Sequence, residues 1–218
     1  MTNLIFDYDG TLHNCLKIYE PSFRKAFEWL VKNGYAEPHN YSDKEIGYWL
    51  GFNSTDMWSM FQPQLSFEVR EECRAIIGRE MAEQTKNGNA ELFSGAIETL
   101  DTLKQNGYTL IFLSNCRQRY KNRHNETFGL DRFFDFFYCA EDFNFIPKYE
   151  IFQKISPTHD GDYIIIGDRF HDIEVATVNG IKAIGCAYGY GSAEELKNAD
   201  IIVNDVSEIP SAVKMLIS

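Results

Sequence analysis

Apolar residues in this chain come in short runs that occupy both alternating faces. NLIFDYD (3–9), YTLIFLS (108–114), DFFYCA (135–140), DYIIIGD (162–168), IKAIGCA (181–187) and DIIV (200–203) have this character. A strand apolar on both sides belongs in a sheet covered on both sides, which is the habit of parallel sheets. Helical patterns alternate with these runs. In SGAIETLDTLKQNG (94–107), Ile97, Leu100 and Leu103 repeat at helical spacing, and Gly107 supplies the stop. SAEELKNA (192–199) opens with Ser192 and Glu195 in a capping-box arrangement. From about residue 92 onward the pattern predicts a doubly wound α/β domain.

Residues 15–90 break the alternation, because no convincing strand occurs there. YEPSFRKAFEWLVKNG (19–34), SDKEIGYWLG (42–51) and FEVREECRAIIGREMAEQ (67–84) are helical patterns, the second with Ser42 and Glu45 as a capping box. The expected organisation is a core built from 1–14 and 91–218, with a helical insertion, 15–90, after the first strand. WLGFNSTDMW (49–58), polar and aromatic, is the candidate specificity loop of that insertion, or else a helix connection whose tryptophans are core.

Charge narrows the partners. Thirty-two acidic against 21 basic residues give a formal net charge of −11, which disfavours nucleic acid and anionic membranes. A small anion stays possible because a metal ion can reverse the local field. The five cysteines (Cys15, Cys73, Cys116, Cys139, Cys186) are scattered and form no CxxC, so buried thiols are expected rather than disulfides or zinc. The first strand starts at once, without a basic leader or long apolar segment, and a cytoplasmic protein is expected. A monomer or homodimer is expected.

Ligands of open α/β sheets bind at the carboxyl ends of the strands. Those ends carry Asp7-Tyr8-Asp9-Gly10-Thr11, Ser114-Asn115, and Gly167-Asp168 with Asp172 beyond, while Lys148 opens a helix in IPKYEIF. Each has an ordinary alternative: DYDG as a turn, Ser114-Asn115 as a helix cap, Lys148 as a solvated surface lysine, GDRFHD as a turn and N-cap. Their shared placement, at strand ends or just beyond, favours one site instead.

These pieces, DYDGT (7–11), LIFLSN (110–115), Lys148 and GDRFHD (167–172), resemble in order the four motifs of the haloacid dehalogenase superfamily. FSGAIETLDTLKQNGYTLIFLSN and AYGYGSAEELKNADIIVNDVSEIP resemble its phosphoglycolate-phosphatase-like branch. The insertion resembles the family's C1 cap, and the implied fold is a Rossmannoid core carrying that cap. The usual proline after the lysine is Tyr149 here, and Asn14 stands where relatives often carry Asp. The resemblance implies a Mg²⁺-dependent phosphatase for a small phosphorylated metabolite. Asp7 would be nucleophile and metal ligand, Asp9 acid–base through its carboxyl and metal ligand through its backbone carbonyl. Asp168 would be a ligand, and Asp172 would hold a metal-bound water or stand behind the ligands. Lys148 would neutralise charge, while Ser114 and Asn115 would bind phosphate. An acid at Asp9 suits an alkoxide leaving group, which a dehalogenase does not have. A β-phosphoglucomutase-like phosphotransferase and a non-catalytic phosphate-binding protein share the pattern and stay open at this point.

Overall fold

Six apolar runs become six parallel strands. The computed structural model describes residues 2–217, in which β1 (Thr2–Phe6), β2 (Thr109–Ser114), β3 (Phe136–Cys139), β4 (Asp162–Gly167), β5 (Lys182–Cys186) and β6 (Ile201–Val203) form one sheet. Its order is β3-β2-β1-β4-β5-β6, and every pairing is parallel. Register sets Leu4 between Leu110 and Ile164, and Phe6 between Phe112 and Ile166. Alternation along each strand then feeds two separate cores. Leu4, Phe6, Leu110, Phe112, Ile164 and Ile166 share one cluster, whereas Ile5, Ile111, Leu113 and Ile165 share the other.

Helices cover both faces. Of α1 (Leu16–Lys32), α2 (Asp43–Gly47), α3 (Ser54–Phe61), α4 (Phe67–Lys86), α5 (Ala96–Gln105), α6 (Gln118–Phe128), α7 (Lys148–Ile155), α8 (Phe170–Asn179), α9 (Ala193–Leu196) and α10 (Ile209–Ile217), α5 and α10 supply Leu100, Leu103 and Val213 to the first core. The second core receives Ile151, Phe152, Ile173 and Val175 from α7 and α8. The chain winds outward from β1 through β2 to β3, then restarts with β4 on the other side of β1. The carboxyl ends of β1 and β4 therefore flank the switch point, where a crevice for ligands opens in such sheets.

Cys15–Glu91 forms a compact helical unit of its own, and the residues up to Asn14 together with those from Leu92 form the other. In the helical unit α1 packs on α4, with Phe23, Phe27, Tyr41 and Phe61 in mutual ring contact. Helix α1 starts at Leu16, before the expected Tyr19, and encloses Pro21. Ile18 extends the buried stripe of Phe23, Ala26 and Leu30 backward, and its burial outweighs the one hydrogen bond that a proline removes. Helix α3 begins within the 49–58 stretch, read as a specificity loop or a helix connection, and runs past its end. Asn53 caps it by accepting from the N–H groups of Thr55 and Asp56, and Trp58 is buried.

All five cysteines are free. Cys116 and Cys139 nevertheless meet, with Sγ atoms 3.7 Å apart, a proximity hidden by their distance in sequence. Among the described residues no helix is long and apolar enough to cross a membrane.

Candidate active site

Asp7 follows the last residue of β1, its N–H still bonded to the carbonyl of Ile166 at 2.9 Å, so the sheet fixes its backbone. Asp168 follows β4 in the same way, on the neighbouring strand. Asp172 sits in the first turn of α8, where it accepts from the Arg169 N–H at 3.1 Å. Each of these three buried carboxylates offers an oxygen within 4.8 Å of the others. Two glycines make that approach possible. A Cβ on Gly10, whose φ is +89°, would lie 2.2 Å from Asp168 Oδ2, and a Cβ on Gly167 would lie 2.2 Å from the Asp172 Cγ. The Asp-Gly-Thr and Gly-Asp pairings are thus steric requirements of the cluster.

Lys148 lies at the cluster, not at the surface. Only 3% of it is exposed, and its Nζ stands 2.7 Å from both Asp7 Oδ1 and Asp172 Oδ1. Burial alone would lower its pKa, but Asp172 and Asp7 overcome this and raise it. The lysine therefore stays an ammonium, and its position at the start of α7 replaces the solvated reading.

One ammonium does not balance three carboxylates. Burial and the charge of Asp172 push Asp7 up to about 7, against the help of Lys148. Burial, Asp7 and Asp172 push Asp168 well above its ordinary range. Arg169 acts weakly in the other direction on Asp168, but its own partner is Glu195, at 2.9 Å. An oxygen-only, electron-rich, buried donor set of this kind suits a hard divalent cation.

Asp9 has different neighbours. Its Oδ1 is 2.7 Å from His13 Nδ1 and accepts from the Tyr120 hydroxyl, also at 2.7 Å. Burial would raise its pKa, yet the contacts with His13 and Tyr120 outweigh this and lower it. Its carboxylate is not one of the three that cluster; the expectation that it ligates metal concerned its backbone carbonyl.

Ser114 ends β2 beside β1 and is buried; Asn115 follows in a bend. The capping alternative for this pair fails, because α6 starts only at Gln118, with Arg117 as its N-cap residue. The Glu141 carboxylate accepts from the Gln118 N–H instead, at 2.9 Å. Arg24, Lys25 and Arg117 each face a carboxylate: Glu20, Glu80 and Glu141.

Sequence reasoning missed the segment 188–191. The Tyr190 N–H donates to Asp168 Oδ2 at 2.7 Å, and the Tyr188 hydroxyl donates to the Thr11 carbonyl at 2.7 Å. The available signal was the two glycines of YGYG, which let this backbone run against Asp168: a Cβ on Gly191 would lie 1.9 Å from the Asp168 carbonyl oxygen.

The profile of the haloacid dehalogenase-like hydrolases matches residues 4–186. A 5'-nucleotidase of Pseudomonas aeruginosa is 27% identical over 200 residues, spanning 89% of this chain and 86% of that protein. A pyrophosphatase PpaX of Halalkalibacterium halodurans is 25% identical, spanning 92% and 90%. A phosphoglycolate phosphatase of Agrobacterium fabrum is 28% identical over 137 residues, spanning 60% and 59%. The crystal structure of a predicted phosphatase from Clostridium acetobutylicum superposes with a TM-score of 0.83 over 98% of each chain at 21% identity, a likeness of fold. The chain belongs to the haloacid dehalogenase-like hydrolase family.

Proposed function

Starting from that membership, we propose that the protein is a Mg²⁺-dependent phosphatase that hydrolyses a small phosphomonoester through an aspartyl-phosphate on Asp7. A phosphoglycolate-like substrate is the first candidate. The observation that carries this reading is the cluster of Asp7, Asp168 and Asp172 around a single buried lysine, whose surplus negative charge a divalent cation would offset. Relatives named for phosphoglycolate, nucleotide and pyrophosphate chemistry support the class of reaction.

Asp7, Asp168 and Asp172 fit the ion by donor type and mutual distance. When bound, magnesium would neutralise charge on the carboxylates and on the incoming phosphoryl group. The chain's own residues supply the rest. Asp7, held by β1 and bonded to Lys148, would attack phosphorus as a carboxylate, and Lys148 would compensate charge as that bond forms. Ser114, at the end of the adjacent strand, is the hydroxyl that would donate to a phosphoryl oxygen. Asp9 lies outside the carboxylate cluster and is free to handle protons. It would protonate the leaving oxygen, then take a proton from the water that hydrolyses the acyl phosphate. Phosphate arriving as an anion raises the pKa of Asp9 as it docks, which favours the protonated form when it is needed.

The test is phosphate release from a panel of phosphorylated metabolites, phosphoglycolate among them. Hydrolysis should require magnesium, stop on chelation, and fall by at least about 10³-fold in Asp7→Asn, the scale of losing an activated nucleophile. Undiminished turnover in Asp7→Asn removes the nucleophile from this account.

A further inference from the structure

His13 immediately follows Asp-Gly-Thr-Leu, is completely buried, and makes its polar contacts through one nitrogen. Its ring stacks on Tyr8 with centroids 5.2 Å apart and planes 10° from parallel. Its Nδ1 lies 2.7 Å from Asp9 Oδ1. Its Nε2, also buried, has no hydrogen-bond partner among the described residues. Burying an imidazole nitrogen unpaired carries an uncompensated desolvation penalty, so packing alone would be better served by leucine. What His13 offers that leucine does not is its Nδ1–H.

A second donor reaches the same oxygen from another element. Tyr120, on α6, places its hydroxyl 2.7 Å from Asp9 Oδ1 and 3.2 Å from His13 Nδ1. One turn on, His124 lies with its ring 4.6 Å from that of His13, and its Nδ1 is 2.8 Å from the Tyr8 hydroxyl. The face of α6 that carries Tyr120 and His124 thus supports the loop after β1 from behind. Two bonds converging on Oδ1 fix the rotation of the Asp9 carboxyl group and leave Oδ2 outside them.

We infer that His13 and Tyr120 are positioning residues that hold Asp9 by Oδ1 so that Oδ2 carries the proton in both half-reactions. This rests on the phosphatase reading above and deepens it. In the first half-reaction the P–O bond to the leaving group breaks, its electron pair stays on the leaving oxygen, and Oδ2 delivers the proton. In the second, water attacks the phosphorus, the P–O bond to Asp7 breaks with its electron pair returning to the Asp7 carboxylate, and Oδ2 takes up the proton that water sheds. A carboxyl group free to rotate would spend only part of its time with the proton aimed at the leaving oxygen.

The experiment compares an alkyl phosphate, phosphoglycolate, with p-nitrophenyl phosphate, whose phenolate leaves with little protonation. His13→Leu and Tyr120→Phe should each lower the rate of leaving-group release in the first turnover, which reads the first half-reaction alone, by about 10- to 100-fold on the alkyl ester, within the range of general acid catalysis, and by less than about threefold on the aryl ester, with KM steady. His13→Asn, whose amide N–H occupies the place of Nδ1–H, should recover most of the loss. Long-range ¹H–¹⁵N spectra of the wild-type protein should show the His13 proton on Nδ1. Tyr120→Phe keeps its ring and decides the matter should His13→Leu not fold. Equal loss on both esters, a loss confined to KM, no rescue by Asn, or a proton found on Nε2 alone overturns the inference. Asp9→Asn runs in parallel. If it shows the leaving-group dependence and the two positioning variants do not, the inference fails alone; if it shows none, the acid role of Asp9 fails and takes the inference with it.

Discussion

Asp7 and Asp9 are separated by one residue and have opposite surroundings. Asp7 faces two other carboxylates and one ammonium, and its pKa rises to about 7. Asp9 faces a histidine and a tyrosine hydroxyl, and its pKa falls. The split begins with backbone geometry. Asp7 continues the sheet through its bond to Ile166, whereas after Tyr8 the chain folds back so that the N–H groups of Leu12 and His13 both reach the Tyr8 carbonyl at 2.9 Å. The difference teaches that closeness in sequence does not give two carboxylates one role. The first is crowded by carboxylates beyond what its one ammonium offsets, and the second is in a site already furnished with donors.

The comparison can be broken most forcefully at Lys148. In the metal-free protein Lys148→Met leaves three buried carboxylates without their ammonium and should destabilise the fold by about 3–5 kcal/mol in denaturant unfolding. On the proposed function, magnesium would bind the same carboxylates and should return part of that. Next comes Asp9→Asn, which should cost about 100-fold in kcat on an alkyl phosphate, and less on an aryl phosphate, in a phosphate-release assay.

A third test uses pH. Burial, then the neighbouring His13, lowers His124 to about 3, so the fold prefers it neutral. Its contribution is fully present above the unfolded pKa of about 6.5 and is lost as pH falls towards 3. Asp7 has the opposite sign: its raised pKa favours the metal-free fold when it is protonated, so that contribution shrinks as pH rises from about 4 towards 7. With magnesium saturating, His124→Gln should remove up to about 1.4 kcal/mol per pH unit from the stability lost between pH 6.5 and 4. An unchanged acid limb would show that His124 is already free to charge. The smallest effect expected is that of Asp168→Asn. Removing one of three crowded charges should stabilise the metal-free protein by about 1 kcal/mol while abolishing the stabilisation by magnesium, read as a shift in Tm.

Much of this was legible in the chain. The six strands could be read because a parallel sheet buried on both faces leaves runs such as YIII and LIFL with no polar alternation. The meeting of Asp7, Asp168 and Asp172 could be read because strand ends in an α/β sheet share an edge, whereas Lys148, at the start of α7, was reached through its place in the family's motif order. Helix α3 escaped because its start is marked by the Asn53 cap rather than by an apolar repeat. The surroundings of Asp9 escaped for a different reason. Helix α6 reads QRYKNRHNETF, polar throughout, yet Tyr120, His124 and Phe128 recur every fourth residue, and that stripe is the face that meets His13. A polar helix whose buried face is aromatic and imidazole gives little hydrophobic signal, though the spacing was there to be noticed.

The central claim is that the cation-dependent carboxylate of the pair, Asp7, is the group that takes the phosphoryl unit. A single turnover with enzyme in excess, run with magnesium in water enriched in heavy oxygen, followed by digestion and fragmentation of the peptide that contains both aspartates, tests it most directly. Attack of water on the phosphorus of an acyl phosphate sends the label to inorganic phosphate and leaves the Asp7 carboxylate unlabelled. Acid quenching before that hydrolysis should therefore show phosphate bound to Asp7 and none on Asp9. Phosphate released at the full single-turnover rate with no Asp7 adduct at any quench time, or an adduct on Asp9 instead, would contradict the account.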